Sequence, residues 1–329
     1  MKTARAIRSA LIICLLLAGM LPAAAACADD GIGFSFAYEE IPEQLRAECA
    51  QKGTVERIEY ATYVYDKSGA AGKPGINEAY VYLPYGYDPE GAYSILYLMH
   101  GGEEHAGYWF AQGDYAAGGA RDRSSSSVTL NVLDQMIASK RCEPLIVVTP
   151  CMAAEKKHGF NGTGTFRYEF KNDLVPAVES QYATFADGDT SPAGLTASRD
   201  HRGYAGLSLG STTGWASILM GCTDYVGYIG NFSGYNSNVY AISDSMNTAY
   251  AEYPILYWYN GNGSYDQSHD DHLRAYNQML KLCPGKLTEG TDTAKGQNCC
   301  FVDKPGKSHN YASWIIDLYN VLLVFFTCP

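Results

Sequence analysis

Three side chains far apart in the chain have the types and spacing for acyl-transfer chemistry: Ser208, Asp266 and His309. Ser208 is the centre of Gly206-Leu207-Ser208-Leu209-Gly210. That is a G-x-S-x-G turn, the kind that lifts a serine off the end of a strand and into the start of a helix. Residues 202–205 read as the strand and 211–220 as the helix. A serine on so sharp a corner crowds its neighbours, and glycines two positions either side remove the Cβ atoms that would clash. The helix then turns free N–H groups and the positive end of its dipole toward charge developing beside the serine. The Leu209 N–H is the first candidate oxyanion donor.

Three further strand ends carry useful groups. His100-Gly101-Gly102 follows the run 94–99. Its small residues let backbone N–H groups face a ligand, and the Gly102 N–H, or that of Gly101, is the second oxyanion candidate. His100 itself reads as a structural histidine. The segment Asn260-Gly261-Asn262-Gly263-Ser264-Tyr265-Asp266 places a carboxylate just beyond a strand, where it can orient an imidazole. Asp270 and Asp271 compete for that role but sit where a first helical turn favours acids. His309 closes Lys304-Pro305-Gly306-Lys307-Ser308-His309, just before the last helix. The order Ser…Asp…His, each after a strand, is that of the α/β-hydrolase arrangement and not of the chymotrypsin or subtilisin orders. His269 and His272 could share a helix face, but no third metal ligand is in view. The remaining histidines read as solvated or packing residues.

The elements that must bring these groups together follow from pattern. Residues 54–66 are rich in β-branched and aromatic types and read as a first strand. A Gly/Pro-rich turn at 68–75 leads to a hairpin partner at 78–84. The continuous apolar runs 94–99 and 145–149 suit strands buried on both faces. Further strands are expected at 225–232, 255–259 and 299–303. Helices are expected at 128–140, 166–184, 270–282 and 311–326, with 185–199 a polar loop. Strands alternating with helices give a single-domain α/β fold, a mostly parallel doubly wound sheet with helices on both faces.

Composition bounds the rest. The chain has 329 residues, 47% hydrophobic, with net charge −11. That is enough apolar content for a full core. No basic patch stands out, which argues against a nucleic-acid partner. Lys2, Arg5 and Arg8 precede an apolar run from residue 10 to 21 and a small-residue stretch, so 1–26 read as an export signal. Cys27 then resembles a lipoprotein cleavage site, a membrane tether, although Ala24 replaces the usual leucine. Residues 27–53 read as an arm on the surface and 54–329 as the catalytic domain. Beyond Cys14 and Cys27 eight cysteines remain, an even number that suggests disulfides in an exported protein. None has metal-site spacing. The 27 tyrosines include flat faces suited to sugars or phenols, though most read as half-buried sheet residues.

At this point the residues resemble a known group, the feruloyl esterases of carbohydrate esterase family 1, sometimes called esterase D-like. The stretches that carry the likeness are 53–60 (GTVERIEY), 81–88 (VYLPYGYD), 95–102 (ILYLMHGG), 144–150 (PLIVVTP), 172–179 (NDLVPAVE) and 198–210 (SRDHRGYAGLSLG). The resemblance implies an α/β-hydrolase with a serine nucleophile, no cofactor, and esters of plant cell-wall polysaccharides, feruloylated or acetylated, as substrates. It matches Ser208 to the nucleophile, Asp266 to the acid and His309 to the base. The group often has Met after the serine and Gly-Gly beyond; Leu209 and Gly210-Ser211 stand here, which keeps the N–H donor but reshapes the acyl pocket. Tyr108, Trp109, Trp215 and Trp314 are the candidate substrate-lining residues. The alternatives are an acetylxylan esterase, an acyltransferase of the mycolyltransferase kind, and a non-catalytic glycan-binding lipoprotein on the same scaffold.

Overall fold

The computed structural model describes residues 39–102, 104–112, 123–152 and 161–326, with only the backbone of 123–127. The export signal, Cys27 and Cys328 lie outside the described residues.

Eight strands form one sheet in the order β1-β2-β4-β3-β5-β6-β7-β8. β1 (Thr54–Tyr65) and β2 (Ala71–Leu83) pair antiparallel, and β2 pairs antiparallel with β4 (Leu145–Pro150). From β4 onward, through β3 (Ser94–Met99), β5 (Arg202–Leu207), β6 (Tyr228–Phe232), β7 (Tyr257–Gly263) and β8 (Cys299–Lys304), every pairing is parallel. Parallel pairing requires crossovers, and these put helices on both faces.

The period of two along each strand then divides the core. Ile95, Tyr97 and Met99 of β3 face one layer with Phe170, Trp215 and Tyr276. Leu96 and Leu98 face the other, with Val132, Ile315 and Leu318. The first layer is covered by α3 (Phe166–Glu169), a π turn at Phe170–Leu174, α4 (Val175–Glu179), α7 (Val239–Asn247) and α8 (His269–Leu282). The second is covered by α1 (Glu43–Arg46), α2 (Arg123–Ala138) and α9 (Tyr311–Val324). α5 (Pro192–Ala197) and α6 (Leu209–Thr213) flank β5 in sequence, and α6 continues into a π turn at Gly214–Leu219.

Several expectations are corrected. The turn expected at 68–75 is shorter, because Asp66 Oδ1 accepts the N–H groups of Ser68 and Ala70 and closes it early. β2 then runs through Pro74, which is tolerated because β2 meets β4 only from Ala79 onward. The polar loop at 185–199 contains α5, capped by Ser191 Oγ accepting from Gly194 N–H with Pro at the first helical position. α7 was not foreseen. The arm, where it is described, is anchored by three side chains: Ile41, Leu45 and Cys49 are buried. No disulfide joins any two of the described cysteines. Cys49, Cys222, Cys283, Cys299 and Cys300 are buried within the core and pack as small hydrophobes. Among the described residues no helix is long and apolar enough to cross a membrane.

Candidate active site

β5 delivers Ser208 at the carboxyl edge of the sheet, where Met99 of β3 and Asn231 of β6 pair with Gly206. Ser208 sits at φ 50° and ψ −113°, a conformation non-glycine residues rarely hold. The flanking glycines explain how it is held. A Cβ on Gly206 would lie 2.6 Å from the Gly210 carbonyl carbon, and one on Gly210 would lie 2.4 Å from the His100 oxygen. The Ser208 N–H donates to Phe232 O at 2.8 Å, which pins the turn to β6.

β7 and β8 deliver the other two groups. Their carboxyl ends pair as far as Gly263 and Lys304. The loops beyond are tied together: Ser264 N–H donates to Lys304 O at 3.0 Å and Tyr265 N–H to Lys307 O at 2.9 Å. Asp266 and His309 are therefore fixed against each other. His309 Nδ1 lies 2.8 Å from Asp266 Oδ2, and His309 Nε2 lies 2.9 Å from Ser208 Oγ. An ionised carboxylate only accepts, so Nδ1 carries the proton and Nε2 is left to accept from the Ser208 hydroxyl. The Asp266 carboxylate is fully covered, while His309 is a quarter exposed.

Burial works to raise the Asp266 pKa, but hydrogen bonds from His309, the Ser268 N–H, the Ser233 hydroxyl and the Ser268 hydroxyl outweigh it and bring it down to about 2. The Asp266-Gln267-Ser268 spacing is an Asx turn, with both Ser268 donors at 2.8 Å from Oδ1. Asp270 and Asp271 are engaged elsewhere, with His269 and with Tyr235 and Arg274. Behind Asp266, Asn262 Nδ2 donates to Ser268 Oγ and to His272 Nδ1, and His272 Nε2–H donates to Asn260 Oδ1. His269 and His272, which could have shared a helix face, thus face different partners.

His100 is structural. Nδ1–H donates to Gly101 O at 2.7 Å, Nε2 accepts from Met152 N–H at 3.0 Å, and burial lowers its pKa to about 4. The Gly101 N–H is committed to Glu104 Oε2 at 2.6 Å. Of the two glycines weighed as the second oxyanion donor, Gly102 is the one whose N–H remains a candidate, and it lies against the Leu209 side chain.

The aromatic expectations divide. Trp109 is wholly buried, with Nε1–H donating to Met99 O, and Trp215 is wholly buried edge-on to Trp258. Both are core residues and line no groove in this state. Tyr108 is half-buried and packs on Tyr311. Trp314 lies perpendicular to His309 at 4.9 Å between centroids and forms a wall behind the imidazole.

A strand-borne serine with an imidazole and a buried carboxylate in line, on a mostly parallel sheet, defines the serine hydrolases of the α/β-hydrolase fold. No protein-family profile matches the chain. It is 34% identical over 303 residues to endo-1,4-beta-xylanase Y of Acetivibrio thermocellus, a match that spans 88% of this chain and 24% of that much longer enzyme. Among solved structures, the feruloyl esterase module from Clostridium thermocellum, an S954A mutant complexed with sinapinate, superposes with a TM-score of 0.70 at 29% identity, over 88% of this chain and 94% of that one. A structure of a protein called FAE superposes with a TM-score of 0.70 at 30% identity over the same shares. The chain belongs to the feruloyl esterase group of carbohydrate esterase family 1, and is a serine carboxylic ester hydrolase.

Proposed function

We propose that this protein is an exported feruloyl esterase that cleaves hydroxycinnamate esters on plant cell-wall polysaccharide. The observation that carries the reading is the unbroken contact from Ser208 Oγ through His309 to the covered Asp266 carboxylate, at 2.9 and 2.8 Å. Ser208 Oγ attacks the ester carbonyl while His309 Nε2 takes its proton. The carbonyl oxygen becomes an oxyanion that accepts from the Leu209 and Gly102 N–H groups. The intermediate collapses, His309 returns the proton to the leaving sugar alkoxide, and a feruloyl ester on Ser208 remains. Water then attacks that ester, its proton going to His309, and ferulate departs as Ser208 recovers its hydrogen. Asp266 holds the imidazole tautomer throughout. The feruloyl esterase match supports the acyl choice, and the apolar run before the small-residue stretch at 22–26 supports export.

The mature protein is expected to release ferulate from methyl ferulate and from feruloylated xylan, and Ser208→Ala to abolish both. Turnover that survives the substitution removes Ser208 from the mechanism. Acetylated xylan as the better substrate would move the enzyme to the acetyl esterases.

A further inference from the structure

A cleft of about 430 Å³ opens beside the same helical segment that begins at Ser208. Ala216 lies in its wall, eight residues beyond the serine, which is about 12 Å along a helix axis at the usual rise. Asn236 also lines it, two residues beyond Gly234, a position so close to Ser208 that a Cβ there would meet the Ser208 oxygen at 2.4 Å.

The lining is unlike the rest of the surface. The chain carries net charge −11, yet among the described residues no carboxylate lines this cleft, whereas Lys67 and Arg167 both do. Neither cation has a carboxylate partner among the described residues. Arg167 is held in place by stacking on Tyr168, 4.8 Å from the ring centroid, and by donating to its hydroxyl at 3.0 Å. The amides of Asn236 and Asn238 and the hydroxyl of Thr163 add neutral polar groups. Among the described residues no aromatic ring lines the cleft, which gives the phenolic acyl group no ring to stack on there. Neutral hydroxyl-binding groups beside two cations suit a sugar that carries a carboxylate.

We propose that this cleft is a subsite for a uronic acid branch of the polysaccharide whose ester is held at Ser208. The proposal rests on the esterase reading above and deepens it from acyl group to glycan. One cation on an exposed surface changes affinity by roughly fivefold or less, and two acting on one carboxylate by more.

The test compares methyl ferulate with two feruloylated xylo-oligosaccharides, one neutral and one bearing a glucuronic acid. The native enzyme is expected to show a KM roughly fivefold lower for the acidic oligosaccharide at low salt, with the gap closing as salt screens the charge. Lys67→Met is expected to remove much of that gap and Lys67→Glu to reverse it, both leaving methyl ferulate turnover unchanged. Equal KM values for the two oligosaccharides in an enzyme that turns over methyl ferulate would overturn the subsite and leave the esterase standing. Failure on all three substrates would strike the esterase reading instead. The subsite is then read alone, by calorimetry of Ser208→Ala with unesterified xylo-oligosaccharides. Binding of the acidic one over the neutral one supports it; no preference overturns it.

Discussion

Ser208 can hold its left-handed backbone because the residues around it give way. Gly206 and Gly210 face each other and the His100 strand end across gaps that a single methyl group would close. Gly210→Ala is therefore expected to cost about 1–3 kcal/mol of stability, as overpacked sites do, and to displace the serine. Denaturant unfolding alongside ester turnover checks both; an active variant of native stability would show that the corner is softer than its spacing implies. The carboxylate end is predicted from polarity. With its pKa near 2, Asp266 stays ionised at any working pH; the stability its charge adds is fully present above the unfolded carboxyl value of about 3.9 and is lost progressively as pH falls from there through about 2. Asp266→Asn keeps the shape but favours the wrong imidazole tautomer. It is expected to lower kcat by about four orders of magnitude with KM nearly unchanged. A loss of less than tenfold would remove Asp266 from its orienting role. These groups were legible in the sequence because each follows a strand in a fixed order. Ser268, whose N–H and hydroxyl hold Asp266, was not singled out, although the Asp-x-Ser spacing carried its signal. Ser233, just beyond β6, donates to Asn262 Oδ1 and adds to the lowering of the Asp266 pKa from a neighbour that only the sheet order supplies.

At the scale of elements, two buried ion pairs set where the strands end. Arg202 opens β5 and forks onto Glu179 of α4, Nε to Oε1 at 2.5 Å and an outer nitrogen to Oε2 at 2.7 Å. Lys304 closes β8 and reaches Asp317 of α9 at 2.5 Å, both wholly buried, with the Tyr259 hydroxyl donating to the same oxygen. Burial opposes both charges, so neither tolerates losing its partner. Lys304→Met is expected to cost about 3–5 kcal/mol, and Lys304→Met with Asp317→Asn to cost less than the single change, since no bare carboxylate remains. Thermal denaturation of the three proteins decides it; a double variant less stable than Lys304→Met would mean that the pair is not coupled. The sequence announced neither pair. Asp317 falls inside the helix expected at 311–326, and Lys304 just beyond the strand expected at 299–303, with nothing in either position to mark a partner. The strands with continuous apolar runs, β3 and β4, were legible to within a residue because burial on both faces leaves no polar position. The start of β2 was not, because its Gly and Pro content signals a turn that pairing with β1 overrides. α7 was missed because its nine residues follow a polar stretch in which Asn238, its N-cap residue, does not stand out.

Across the whole molecule, the layer behind the catalytic edge holds a histidine that cannot take a proton without breaking its contacts. His272 is wholly buried between Asn260 and Asn262, against the rings of Trp215 and Phe301. Burial chiefly, then the nearby Lys304 charge, lowers its pKa to about 3; Asp266 pulls the other way and His269 adds slightly to the lowering. The unfolded chain regains an ordinary imidazole near 6.5, so between about pH 6.5 and 3 it binds the proton that the folded chain refuses. Stability therefore falls as pH falls through that window, and is fully present above it. At pH 4.5 the shortfall from His272 alone comes to about 3 kcal/mol. His100, lowered to about 4, adds to it, while the raised carboxyls of Glu169, Asp173 and Asp317 act in the opposite sense. The opposing groups make the total slope a poor test and a difference a good one. His272→Gln keeps two hydrogen-bonding groups but cannot titrate. It is expected to be less stable than the native protein at pH 7.5, yet to lose about 3 kcal/mol less on going to pH 4.5. Urea unfolding of both proteins at the two pH values measures the four free energies. Parallel losses would mean that His272 is protonated in the folded state too, and that the Asn260–His272–Asn262 contacts behind the Asp266 carboxylate are not maintained in solution.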